Sequence, residues 1–162
     1  MRRLGIAVNL AARVAMVAFT LEVLLSPDDP RFADKALGVR NLVIVGVASL
    51  LLPAWQLLRR RGHPYPVWYD NLYLSAFLLD QAGNSFDLYD TYFHFDLIPH
   101  AHNTGVGTII LAWLLRLSTP CAIGVVTVVH VLFELQEYYT DVFLGTRNVR
   151  GLFDTMNDLA VG

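Results

Sequence analysis

The sequence predicts an all-α fold: a polytopic transmembrane helical bundle of about five spans with a short C-terminal interfacial or re-entrant helix, forming a single transmembrane domain over 1–162. Three observations predict it. Hydrophobic residues make up 55% of the chain and charged ones only 16%. The mean hydropathy is +0.46. The apolar runs lack the regular polar interruptions that a soluble core needs, and several approach the ~20 residues required to cross ~30 Å of hydrocarbon. A composition this apolar excludes a disordered chain. A net charge of −2 supplies no basic field for nucleic acid. Cys121 is the single cysteine, so no intrachain disulfide can form.

The first span runs over 4–25, interrupted among strongly polar residues only by Asn9, Arg13 and Glu22. Arg2 and Arg3 precede it as they would a secretory signal. The run is too long for one, and no small-x-small cleavage site follows Leu25, so retention as an anchor is expected. Within it, Arg13 either snorkels inward or pairs with an acid. A polar turn holding Pro27, Asp28, Asp29 and Pro30 leads to the second span, 37–58, with Arg40 near one end and Pro53 near the other. The third, 68–86, carries Asp80, Gln81, Asn84 and Ser85 in its second half, which must face protein or water. The fourth and fifth are 100–117 and 120–144, and the tail 151–162 is too short to cross.

Orientation follows from the arginines. The run Arg59 to Arg61 sits directly at a span end and places that loop, with the N-terminus, in the cytoplasm. The acids segregate more sharply than the bases: of 14, only Asp70 falls on the cytoplasmic side. The polar cluster is therefore expected on the extracytoplasmic face. His63 lies in a turn across the membrane from it.

On the fifth span His130, Glu134, Glu137 and Asp141 fall at i, i+4, i+7 and i+11, which confines them to an arc of about 60° on an α-helix. Asp80, Asn84 and Asp87 repeat the device on the third span, so the two stripes are expected to meet. The loop between spans three and four adds Asp90, His94, Asp96, His100 and His102 without a single Lys or Arg. Asp154 and Asp158 lie one turn apart on the tail, and Glu22 could reach the cluster from the end of span one. Each ionised side chain at membrane depth costs ~2.5–3.5 kcal/mol on insertion scales, so the stripe needs neutralisation. A divalent metal (Zn, Fe or Mn) is one solution, since imidazole and carboxylate are its ligands. A protonated hydrogen-bonded network and a solvated vestibule are the others. No H-E-x-x-H signature is present.

Four short blocks carry a family resemblance. They are Tyr89-Asp90-x-x-x-His94-Phe95, Phe133-Glu134-x-x-Glu137-Tyr138, Phe143-Leu144-Gly145-Thr146 and Asp154-Thr155-x-x-Asp158. In that order they resemble the bacterial YjdF-type inner-membrane proteins. The first block, with a later Glu and a late Asp, is also similar to VanZ-like membrane proteins, which are associated with glycopeptide-antibiotic tolerance. The resemblance covers Tyr89 to the C-terminus. It departs at Arg147 to Arg150, where the family tends to have a Gln-Gly-Asp type of turn, and His100, His102 and His130 are not part of the pattern. Relatives often continue beyond the position of Gly162 with another apolar stretch. The resemblance implies the bacterial cytoplasmic (inner) membrane and a site drawn from Asp90, His94, Glu134, Glu137, Asp154 and Asp158.

The expected function is that of a small integral membrane protein with a carboxylate and histidine site near the extracytoplasmic leaflet, performing metal-dependent hydrolysis or transfer on a lipid or lipid-linked headgroup. Glu134, Glu137 and Asp90 are the expected catalytic groups, and His94, Glu134, Glu137, Asp154 and Asp158 the expected metal ligands. Asp80, Asp87, His100, His102, His130 and Asp141 form a second tier. The alternative is a non-enzymatic ligand-binding or proton-coupled membrane protein of antibiotic or envelope stress tolerance, as a homo-oligomer if it transports, since five unrepeated spans depart from two-repeat construction. Membrane lipid is the expected partner, and nucleic acid is not.

Overall fold

The structure, a computed structural model, describes residues 1–59, 62–149 and 151–162. Arg60, Arg61 and Arg150 lie outside the described residues, and with them part of the arginine run that suggested orientation. Among the described residues there is no strand, and the α-helices are α1 (Arg2–Leu25), α2 (Leu37–Gly46), α3 (Leu51–Arg59), α4 (Val67–Ser85), α5 (Leu88–Thr91), α6 (Leu97–Leu115), α7 (Thr119–Leu144) and α8 (Leu152–Val161). A 3₁₀ turn, Ala48–Leu50, separates α2 from α3. Three segments are long and apolar enough to cross a membrane: α1, the α2–α3 segment and α7. At 19 residues each, α4 and α6 have a similar reach of ~28 Å but are not among these three segments.

Burial runs opposite to that of a soluble domain. Thr20, Asn41, Asp70, Gln81, Asn84, His130, Glu134 and Asp158 are buried, while Leu4, Leu10, Val14, Val128, Leu132 and Phe143 are exposed. Apolar flanks around polar interiors suit a hydrocarbon solvent, where a large exposed apolar surface has no cost and an unpaired polar group does.

The residues cluster into two compact units. The first, 1–32 with 36–86, contains α1 to α4, and α1 packs on α4 and α2. Gly5 permits the close approach to α4: a Cβ there would stand 3.1 Å from Val67 Cγ1 and 3.3 Å from Trp68 Cε2. About two turns further on, Arg13 lies inside this unit paired with an acid. Its Nη2 donates to Asp70 Oδ2 at 2.7 Å, and the same oxygen accepts from Asn9 Nδ2 at 2.7 Å and from the Tyr65 hydroxyl at 2.6 Å. Burial, and then the Asp70 carboxylate it donates to, push the Tyr65 phenol above its usual range.

The expected second span, 37–58, contains a break with a sequence cause. Pro53 has no N–H for the Ser49 carbonyl four residues earlier, and the helix switches to 3₁₀ geometry just before it. The Ser49 carbonyl instead accepts from Arg13 Nη1 at 2.7 Å.

Arg40 Nη2 donates to Asp80 Oδ2 at 2.8 Å, and the Asp80 carbonyl accepts from Asn84 Nδ2. In the loop after α1, Arg31 grips Asp29 through Nε and Nη2 at 3.0 and 2.8 Å and reaches Glu22 at 3.1 Å. The Arg31 side-chain and backbone donors hold the Asp29 carboxyl below its usual range, and Asp29 in turn raises Arg31.

The second unit, 33–35 with 87–162, contains α5 to α8, with α6 packed on α7 and both contacting α8. Val106 and Ile110 of α6 and Ala122 and Val126 of α7 are buried. Pro120, in the first turn of α7, gives up no intrahelical bond there, and Gly145 ends the helix in the left-handed region at φ 69°. Asp141, one turn before the end, gathers the following loop: its oxygens accept from Asn148 N and Nδ2 at 2.9 Å each, from Val149 N at 2.8 Å and from the Thr146 hydroxyl.

Candidate metal centre

The fifth-span stripe divides. His130 and Glu134, one turn apart on α7, are buried, Glu134 to 4% exposure, whereas Glu137 is half-buried and Asp141 is occupied by its loop. The partner that meets the buried pair is His100, in the first turns of α6. His100 Nδ1 lies 2.9 Å from His130 Nε2 and 3.5 Å from Glu134 Oε1, and His130 Nε2 lies 3.4 Å from that oxygen. The two imidazoles are stacked, with centroids 5.0 Å apart. Glu134 Oε1 accepts no hydrogen bond among the described residues.

Those three separations can be tested against an ion. Atoms so spaced share a centre about 1.9 Å from each, close to the ~2.0–2.1 Å bonds by which nitrogen and oxygen would hold a divalent ion. Three such donors would leave a fourth position free, as around catalytic zinc. The edges average about 3.3 Å, as in a tetrahedron, against ~3.0 Å for an octahedral face. Two imidazoles and one carboxylate also form a donor set found around catalytic zinc. The residues therefore fit a divalent transition ion.

A second group surrounds the other edge of His100. Its Nε2 is 3.5 Å from Asp96 Oδ1, one turn earlier on α6, and 3.9 Å from Asp158 Oδ2 on α8. Asp158 is the one buried residue of α8. Asp96 was not singled out by the sequence reading, although the spacing Asp96-x-x-x-His100 carries the same i, i+4 signal as the stripes.

The other expected residues lie elsewhere. Asp90 is exposed and pairs with Lys35 Nζ at 2.7 Å. His94 is exposed, edge-on to Phe93, and lines a cleft of about 220 Å³ with Asp96, Phe153, Asp154 and Asn157. Among the described residues, neither metal-capable grouping includes His94, Glu137 or Asp154; the groupings are His100, His130 and Glu134, and Asp96, His100 and Asp158. Asp87 starts α5 from a left-handed backbone conformation, φ 57°, and His102 is half-buried on α6. Of the expected ligands, Glu134 and Asp158 are brought together, and they are joined by the second-tier His100 and His130.

Compared with protein-family models, curated proteins and solved structures, the chain matches none.

Proposed function

We propose that this chain is an integral membrane protein that holds a divalent transition metal, zinc by preference, on His100 Nδ1, His130 Nε2 and Glu134 Oε1, and uses it for hydrolysis or transfer on a lipid or lipid-linked headgroup. The observation that carries this reading is the spacing of the three donor atoms, which suits a tetrahedral ion with one free position. When bound, such an ion supplies Lewis acidity at that position. The chain's own groups do the rest. Glu134 supplies the single negative charge of the ligand set. Glu137, half-buried and nearly one turn further along α7, is the carboxylate proposed to take a proton from the attacking group. Exposed Leu, Val and Phe along α1 and α7 support placement among acyl chains, so that a lipid headgroup is the substrate class within reach. The five-span arrangement in the bacterial inner membrane, N-terminus inside and metal centre toward the outer leaflet, belongs to the same proposal and rests on charge placement and motif resemblance.

Elemental analysis of the purified protein tests it. About one zinc per chain is expected, lost in Glu134→Gln and His130→Ala and kept in Glu137→Gln. Wild-type protein without stoichiometric metal after zinc loading would refute the reading. Full metal content with no turnover of any lipid headgroup would leave a binding protein in place of an enzyme.

A further inference from the structure

A neutral imidazole ligates a metal through whichever nitrogen lacks a proton, and the hydrogen-bond partner of the other nitrogen decides which one that is. In this centre one turn of one helix places a polar group on the outer edge of each histidine. Asp158 of α8 stands 3.9 Å from His100 Nε2, on the edge that faces away from His130. Gly162, whose N–H donates to the Asp158 carbonyl at 3.0 Å, lies one turn on. Its backbone hydrogen-bonds the His130 ring, and a Cβ at this position would overlap that ring at Nδ1 and Cε1. The glycine therefore allows the backbone to press against the imidazole edge turned away from His100.

The rest of α8 gives the helix no apolar reason to dock here. Leu152, Phe153, Met156 and Leu159 are exposed, and its one buried side chain is a carboxylate. A ten-residue helix that buries an acid against a histidine and turns its leucines outward is placed by the polar contact. On the α6 side, Asp96 adds a second carboxylate 3.5 Å from the same His100 nitrogen.

We propose that α8, together with Asp96, sets the tautomers of the metal centre: the Asp96 and Asp158 carboxylates hold a proton on His100 Nε2, and the Gly162 backbone holds one on His130 Nδ1. The two ligand histidines then present opposite nitrogens, Nδ1 from His100 and Nε2 from His130, to a common ion. Asp96 and Asp158 are positioning residues in this arrangement and do not contact the metal. The inference rests on the metal reading above and deepens it, since it assigns a role to a helix that supplies no ligand.

Two measurements on the full chain, with zinc as the probe, test it. Long-range ¹H–¹⁵N correlation spectra of the zinc-loaded protein with ¹⁵N-labelled histidine should show His100 as the Nε2–H tautomer and His130 as the Nδ1–H tautomer. Equal tautomers, or the reverse assignment, overturn the proposal. Asp158→Asn and Asp96→Asn should each still bind one zinc but 10- to 100-fold more weakly, the range for lost outer-sphere partners. Cobalt substitution of each variant should keep an intense tetrahedral absorption band, which separates weakened positioning from collapse of the fold. Wild-type affinity in Asp158→Asn, together with wild-type tautomers, overturns the proposal while leaving the metal reading intact. Wild-type protein that takes up no zinc overturns the metal reading itself.

Discussion

Replacing Arg13 by alanine should destabilise the protein by about 3 kcal/mol, and the geometry fixes that size. Removing one partner of a buried ion pair generally costs ~3–5 kcal/mol, because the remaining charge stays buried without compensation. Asp70 is 0% exposed, so it has no water to turn to. Two donors remain, Asn9 Nδ2 at 2.7 Å and the Tyr65 hydroxyl at 2.6 Å, and they hold the loss near the lower end of the range. The Ser49 carbonyl, already deprived of a helix donor by Pro53, loses its replacement as well. Asp70→Asn alone should cost less, since the amide oxygen still accepts from Tyr65 and Asn9. The double variant should be at least ~1.5 kcal/mol more stable than the sum of the single losses, because the pair interacts directly. Reversible unfolding in mixed micelles, followed by tryptophan fluorescence, measures all four proteins; Trp68 reports on this contact because its ring lies beside Gly5. An Arg13→Ala loss below ~0.5 kcal/mol, or strict additivity in the cycle, would show that the pair is solvated and would refute the clasp.

Two further outcomes are expected. Asp141→Ala strands the amides of Asn148 and Val149, each bonded to a partly exposed carboxylate, and should cost about 2 kcal/mol with faster hydrogen exchange at those two amides; unchanged exchange would contradict the bracket. Asp90→Asn and His94→Ala should leave zinc content at the wild-type level, because one is paired to Lys35 on the surface and the other lines the cleft away from the three ligand atoms; loss of zinc in either would return these residues to the ligand set.

Helix positions were legible in the sequence because they depend on local chemistry: the apolar runs around 4–25 and 120–144 became α1 and α7 nearly residue for residue. Periodicity also showed that His130 and Glu134 share a face, since that follows from 100° per residue. It could not show which helix that face meets. Nor could it show that Arg40 sits within reach of Asp80 and pairs with it. Arg13 needed an acid, and Asp70 was the one acid assigned to the inner side, but that their pairing would also recruit Ser49 depended on a proline 40 residues away in sequence. His100 and His130 ranked low because the recognised blocks omit them, and the order of short motifs records no distances. Asp96 shows the converse: its spacing to His100 was readable, and it went unweighted beside a loop crowded with other acids.

The ligand atoms and their outer partners all fall between Asp96 and Gly162, while the Arg13 and Asp70 clasp ties α1 to α4. This division gives the gene a two-part mutational signature. Substitutions at Asn9, Arg13, Tyr65 or Asp70 should reduce how much protein accumulates in the membrane while each surviving molecule keeps its zinc. Substitutions at His100, His130 or Glu134 should leave abundance nearly constant and empty the molecules that are made, and substitutions at Asp158 should leave abundance nearly constant and weaken their hold on zinc. A saturation screen that scores abundance and metal content separately would therefore resolve the chain into two blocks of phenotypes, with the boundary near Asp87, and damage in one block could not be rescued by raising expression in the way that damage in the other could.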